Sequence, residues 1–230
     1  ASRQRIKNMI IDERMVTYIN SLDTGHTPFL ENLERTAKQD RVPVIRREMQ
    51  SFLKVFLKMK QPKRILEVGT AVGFSAVFMA QYGEPDAEIT TIENYEKRIP
   101  DRAGELRKIR LCRPHHADPG RRCRSLKNPG WSVRFYLYGR RLRDSTSTFC
   151  RKVLRVLDKN GVLITDNVLQ DGDVIESRFA VERRNRTIHK RMREYLFELT
   201  HNEGLLTSVV PLGDGIAITM KSHEKREETT

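Results

Sequence analysis

The chain has 230 residues, of which 43 are lysine or arginine and 30 aspartate or glutamate, for a formal net charge of +13. That length suits a single domain with its own buried core, and no run of about 18 apolar residues is present to suggest a membrane span. Three cysteines without paired spacing fit neither a disulfide nor a zinc framework, and His26, His189 and His201 are isolated, with His115 and His116 inside an atypical window. The opening ASRQRIKNMIIDERM lacks the apolar stretch of a secretory signal, so a cytoplasmic protein is the expectation.

Residues 8–22 and 28–39 read as amphipathic helices, separated by a turn in which Thr27 is placed to cap the helix that opens at Pro28. Residues 42–60 begin VPVIRREM and continue as a helix through Phe52, Leu53, Phe56 and Leu57. Residues 1–60 are therefore expected to form a helical preamble packed on a core at 61–221, with 222–230 a charged, frayed tail.

Residues 64–80, RILEVGTAVGFSAVFMA, form the segment around which the rest is arranged. A short apolar strand reaches Glu67 and Gly69, turns, and re-enters as a helix. Such a turn leaves unpaired backbone N–H groups at the helix start, where a ligand can sit close. The Gly-x-x-x-Gly spacing is neither the dinucleotide fingerprint nor a phosphate loop, so no pyrophosphate is demanded. Residues 88–93, EITTIE, then alternate as a strand and end in an acid 24 residues after Gly69. An acid at the tip of the second strand is where a ribose diol is gripped. Either piece alone is an ordinary βαβ feature; together they point to a nucleoside ligand.

Residues 101–151 have a different composition. They hold 14 basic and 4 acidic residues, all three cysteines and the only tryptophan, and show no period of 2 or 3.6. Outside this window the net charge is +3. Regularity returns with the end of a helix at 153–157, a turn at Asn160-Gly161, and a buried strand at 162–165 that stops at Asp166 and Asn167. A long helix with basic residues on one side is expected over 174–203. An antiparallel pair at 207–211 and 216–220 follows, joined by Gly213-Asp214-Gly215. Asp166 and Asn167 offer a carboxylate and an amide oxygen, a hard pair suited to magnesium or manganese, although Asp-Asn also starts ordinary turns.

Four segments in order, MKQPKRILEVGTAVGFSA, AEITTIENYEKR, GVLITDNVL and PLGDGIAIT, resemble the metal-dependent, S-adenosylmethionine-dependent O-methyltransferases related to catechol and caffeoyl-CoA methyltransferases. The nearest likeness is to the bacterial branch that methylates 5-hydroxyuridine at the tRNA wobble position. The resemblance covers residues 8–100 and 152–221. It implies an α/β, Rossmann-like class I methyltransferase fold with a mostly parallel seven-stranded sheet, helices on both faces and an antiparallel last strand. It further implies a homodimer, with the preamble covering the cofactor. Val42 would make a backbone contact to the methionine end of S-adenosyl-L-methionine, and Glu67 and Ser75 would contact that end. Gly69 would allow close approach, Glu93 would hold the ribose diol, and Asp166 and Asn167 would ligate the metal.

The resemblance fails across 101–151. With permissible codons, reading residues 101–141 one base later yields a family-like stretch ending FDFIFMDAA; a second shift yields GQYINFLPE, and a third restores the frame by Val153. The window thus reads as frameshifts in the nucleotide sequence. In the chain as it stands, Gly139 falls near the position of the third metal ligand and Arg143 near that of the family's catalytic lysine. A guanidinium does not serve as a general base, so this chain is expected to be crippled in catalysis.

Outside the window, residues 178–193 carry seven basic residues against Glu182 alone. This is either a solvated helix face or a grip for tRNA phosphates. Three readings follow: a tRNA hydroxyuridine methyltransferase, a small-molecule catechol-type methyltransferase, or a cofactor-binding protein without catalysis.

Overall fold

The computed structural model describes residues 11–92, 133–138 and 154–222. Three helices come first: α1 (Glu13–Ser21), α2 (Pro28–Gln39) and α3 (Arg47–Lys60). The Asp12 carboxylate accepts the Arg14 amide at 2.8 Å and fixes where α1 begins. Pro28 opens α2 as expected, but the Thr27 hydroxyl does not cap it and donates instead to Gln81 Oε1 at 2.9 Å. Residues 42–46 are not helical; α3 starts only at Arg47 and ends at Gln61, whose left-handed φ of 45° brings its amide to Leu57 O.

Strand β1 (Arg64–Val68), helix α4 (Phe74–Tyr82) and strand β2 (Glu88–Ile92) form the βαβ unit legible in the sequence. Strands β3 (Val133–Tyr138) and β4 (Leu157–Asp166) follow. Helix α5 (Arg186–His201) then leads to β5 (Leu205–Val210) and β6 (Ile216–Lys221). The sheet order is β2-β1-β3-β4-β6-β5, with β6 the antiparallel member. Six strands lie among the described residues; the stretch expected to supply a seventh, within 101–151, lies outside them.

Alternation along the strands divides the core between the two faces of the sheet. Ile65, Val162, Ile164 and Ile216 pack with Leu30, Met49, Leu53, Phe74 and Phe78 from α2, α3 and α4. Leu66, Val68, Leu163 and Ala217 pack with Met192, Tyr195 and Leu199 of α5. A polar network ties the preamble to the first face. His26 bridges Tyr82 (2.9 Å) and Gln50 (2.6 Å), Lys54 donates to Asp23 and Gly25 O, and Arg47 pairs with Glu31 and Glu34. Burial would push the Asp23 carboxyl up, but the bond and charge of Lys54 more than offset it and hold it below its ordinary value.

Two sequence expectations are corrected here. Asn160-Gly161 makes no turn, because β4 runs through it from Leu157. Between Val133 and Phe135 of β3 the partner advances from Leu157 to Val162, and Lys159 and Asn160 are extruded to solvent as an irregularity of the ladder. The long helix expected over 174–203 is confined to its second half, Arg186–His201. The chain instead makes short 3-10 turns at Gln170–Ile175 and Arg183–Asn185 before α5. Left-handed backbone at Asp171 and Gly172 breaks any helix entering this stretch, and Arg186 turns back onto the carbonyls of Val181 and Phe179.

Candidate active site

Parallel register sets the geometry. Ile92 of β2 pairs with Val68 of β1, Val68 with Tyr138 of β3, and Tyr138 with Thr165 of β4. The residues that follow β1 and close β4, Gly69 and Asp166, therefore leave the sheet on one edge, each one step past this row. At a strand spacing of ~4.8 Å, β1 and β4 stand about 10 Å apart with β3 between them. The order reverses between β1 and β3, so this edge is also the topological switch point at which open α/β sheets bind ligands.

On the β1 side the floor is Glu67, 2 % exposed. Ser75, in the first turn of α4, donates its hydroxyl to Glu67 Oε1, and Thr91 of β2 donates to Glu67 Oε2 at 2.6 Å. Thr91 has a single proton, already given to Glu67, so the 2.5 Å contact between the Thr70 and Thr91 hydroxyls runs from Thr70 to Thr91. The turn between β1 and α4 requires its glycines: Gly69 has φ 104° and Gly73 φ 83°, with Ala71 at 48°. Among the described residues a Cβ on Gly69 would meet no atom within 4 Å, so this residue is exposed and its constraint is the backbone. No side-chain hydrogen bond caps α4 at Gly73, so the amides of its first turn have no side-chain acceptor there.

On the β4 side Asp166 and Asn167 are half-buried, and Asn167 turns left-handed with φ 63°. The Asn167 amide donates to Asp166 Oδ1 at 2.8 Å, which orients the carboxylate. The pair supplies two oxygen donors and fits part of a magnesium or manganese shell. Among the described residues no group of three or more histidines, cysteines, aspartates or glutamates could complete it. Gly139 and Arg143 lie outside those residues, as does Glu93, which follows Ile92.

Of the residues expected to contact the cofactor, the structure brings Glu67, Gly69 and Ser75 together. Val42 is half-buried in the segment joining α2 to α3, and its amide is committed to Ala37 O at 2.8 Å. Thr70, in the turn after β1, and Thr91, in β2, carry no signature in the sequence. Only the parallel register, pairing Glu67 with Thr91, reveals the contact. Also unforeseen is an ionic cluster beside the β4 side: Arg46 Nη2 donates to Asp171 Oδ1 at 3.0 Å and to Asp214 Oδ1.

This sheet order, with a nucleoside-type turn after β1, defines a Rossmann-like class I methyltransferase fold. Residues 20–222 match the O-methyltransferase family, and the chain belongs to it. Similar solved structures include a Staphylococcus aureus protein assigned as a caffeoyl-CoA O-methyltransferase. Its TM-score is 0.78 at 24% identity, covering 91% of this chain and 98% of that one. An O-methyltransferase from Bacillus cereus in complex with SAH aligns at 0.75 and 17% identity, covering 91% and 97%. TomG of Streptomyces achromogenes, an O-methyltransferase of tomaymycin synthesis in complex with SAM, aligns at 0.73 and 18% identity, covering 91% and 96%. Among the described residues no helix is long and apolar enough to cross a membrane.

Proposed function

We propose that this protein, with the frame restored across residues 101–151, transfers a methyl group from S-adenosyl-L-methionine to a hydroxyl oxygen held at the β4 edge, and that the acceptor is 5-hydroxyuridine in tRNA. The observation that carries the transfer is the shared edge: a glycine turn over a buried glutamate at β1, and a carboxylate–amide pair about 10 Å away at β4. The B. cereus and TomG complexes with SAH and SAM support the donor.

In the reaction the acceptor hydroxyl loses its proton to solvent and its oxygen attacks the sulfonium methyl carbon. The C–O bond forms as the C–S bond breaks, and S-adenosylhomocysteine leaves. Gly69 lets the donor lie against the backbone, and Glu67, fixed by Ser75 and Thr91, presents a buried anion toward the methionine ammonium. Glu93 would accept from the ribose hydroxyls. Asp166 and Asn167 would hold magnesium or manganese, which when bound lowers the acceptor hydroxyl pKa. Alignment of oxygen, methyl carbon and sulfur supplies much of the rate.

The tRNA assignment rests on the basic run. Arg178, Arg183, Arg184, Lys190 and Arg193 are exposed, and the run begins eleven residues after Asn167. Arg186 is committed to loop carbonyls, so charge reversal at Arg183, Arg184 and Lys190 tests the surface without unseating it. Raised KM for tRNA in that variant of the frame-restored protein, with a steep salt dependence in its unsubstituted parent, supports the assignment. Kinetics indifferent to both would favour the second reading, a small-molecule acceptor as in TomG. A homodimer in the cytoplasm completes the proposal.

A further inference from the structure

We propose that Arg46 is a positioning residue of the acceptor site: a clamp that holds the loop carrying Asp166 and Asn167 in its left-handed course. Arg46 ends the extended segment before α3, and its guanidinium reaches two other parts of the chain at once. It donates to Asp171 at 3.0 Å in the loop after β4, and to Asp214 in the β5–β6 turn. Its stem lies over Gly213, where a Cβ would come within 3.4 Å of Arg46 Cδ. The neighbouring glycine is equally committed, since a Cβ on Gly215 would fall 2.3 Å from Leu169 Cγ. The same turn accepts Val168 N–H at Gly215 O and Leu169 N–H at Asp214 O, both at 2.9 Å.

The loop so held is one the backbone would not choose. Asn167, Gln170 and Asp171 all have positive φ, at 63°, 51° and 53°. Three non-glycine residues in that region persist only where the surroundings over-determine them. The two amide bonds and the Leu169–Gly215 packing hold residues 168 and 169, but neither reaches Asp171. Arg46 does, and it couples that end of the loop to the segment containing Val42. Chelation by a fork-shaped guanidinium suits this role, because one rigid group can serve two carboxylates.

The test has two arms, only one of which rests on the metal reading above. In the first, amide hydrogen exchange is compared in wild type, Arg46→Met and Arg46→Lys. Exchange at Val168 and Leu169 should quicken about tenfold or more in Arg46→Met and less in Arg46→Lys, while the amides of α4 stay unchanged. In the second, Mn2+ affinity should fall about tenfold in Arg46→Met, with S-adenosylhomocysteine affinity within about twofold of wild type. If Arg46→Met does not fold, Asp171→Asn, which keeps the Asp214 grip, should show the same pattern at smaller amplitude. Unchanged exchange at Val168 and Leu169 in a folded variant overturns the clamp. Failure of the wild type to bind Mn2+ would remove the metal reading and leave the exchange arm to decide.

Discussion

Glu67 is the residue on which the donor side depends, and its surroundings were half legible. The acid before the glycine turn and the serine at the helix start are both expected from the sequence to contact the ligand. That the two bond each other, with Thr91 as a third member, follows only from the strand register. Thr91→Val keeps the shape and removes a hydrogen bond from a buried carboxylate. It should cost about 1–3 kcal/mol of stability, read as a lowered denaturation midpoint with unchanged slope. Glu93→Ala should weaken S-adenosylmethionine binding by about 1–3 kcal/mol, the cost of ribose hydroxyls left unpaired; calorimetry showing unchanged affinity would remove Glu93 from the site. Asp214 gives the pH dependence. Burial, then the hydrogen bond and charge of Asp171, push its carboxyl from 3.8 up to about 6, against the pull of Arg46. One guanidinium cannot neutralise two carboxylates. The folded state therefore binds this proton more tightly than the unfolded chain. The attendant stability is complete below pH 3.8 and is lost as the pH rises through 6. Between pH 5 and pH 8 the melting temperature of wild type should fall relative to Asp214→Asn; parallel curves would contradict the assignment.

At the scale of elements, the strands and helices with a clean period and a physical stop were readable. Helix α2 begins at Pro28 and β1 ends at the glycine turn, both as the sequence implies. Two elements were not. Asn160-Gly161 is a turn signal, yet the pairing of β4 with β3 and β6 carries strand geometry through it, since tertiary ladders outweigh a local preference. The stretch from Val174 shows apolar residues at helical spacing. The helix starts only at Arg186, after the 3-10 turn at Arg183–Asn185 and where the Arg186 side chain folds back onto Val181 O, neither of which periodicity reveals. The loop between β4 and α5 matters because it follows Asp166 and Asn167 directly. In the frame-restored protein, Asp166→Ala should abolish magnesium-dependent methylation while leaving donor affinity within about twofold, because a metal at this edge serves the acceptor. Full activity in that variant, or in its unsubstituted parent with excess chelator, would defeat the metal mechanism.

For the molecule as a whole, the family and the fold were readable from four motifs outside residues 101–151. Within that window the local sequence carries no period, and the third metal ligand and the general base expected near Gly139 and Arg143 are not encoded. Strand β3 nonetheless occupies the centre of the sheet between β1 and β4, where the shifted reading places its FDFIFMDAA strand. Resequencing of the DNA, or a peptide mass map, should return the shifted reading across 101–151; recovery of CRPHHADPGRRCR as written would refute the frameshift account. The donor half of the site, built from β1, α4 and β2, does not depend on the outcome. Its most direct test is calorimetric titration of S-adenosylhomocysteine into the wild-type protein and into Gly69→Val. Val at a φ of 104° is strained and would place a side chain over the turn. The account predicts one site per chain in the wild type and a loss of at least about tenfold, roughly 1.4 kcal/mol, in the variant. Absence of binding to the wild type, or equal affinity in a folded Gly69→Val, would contradict it.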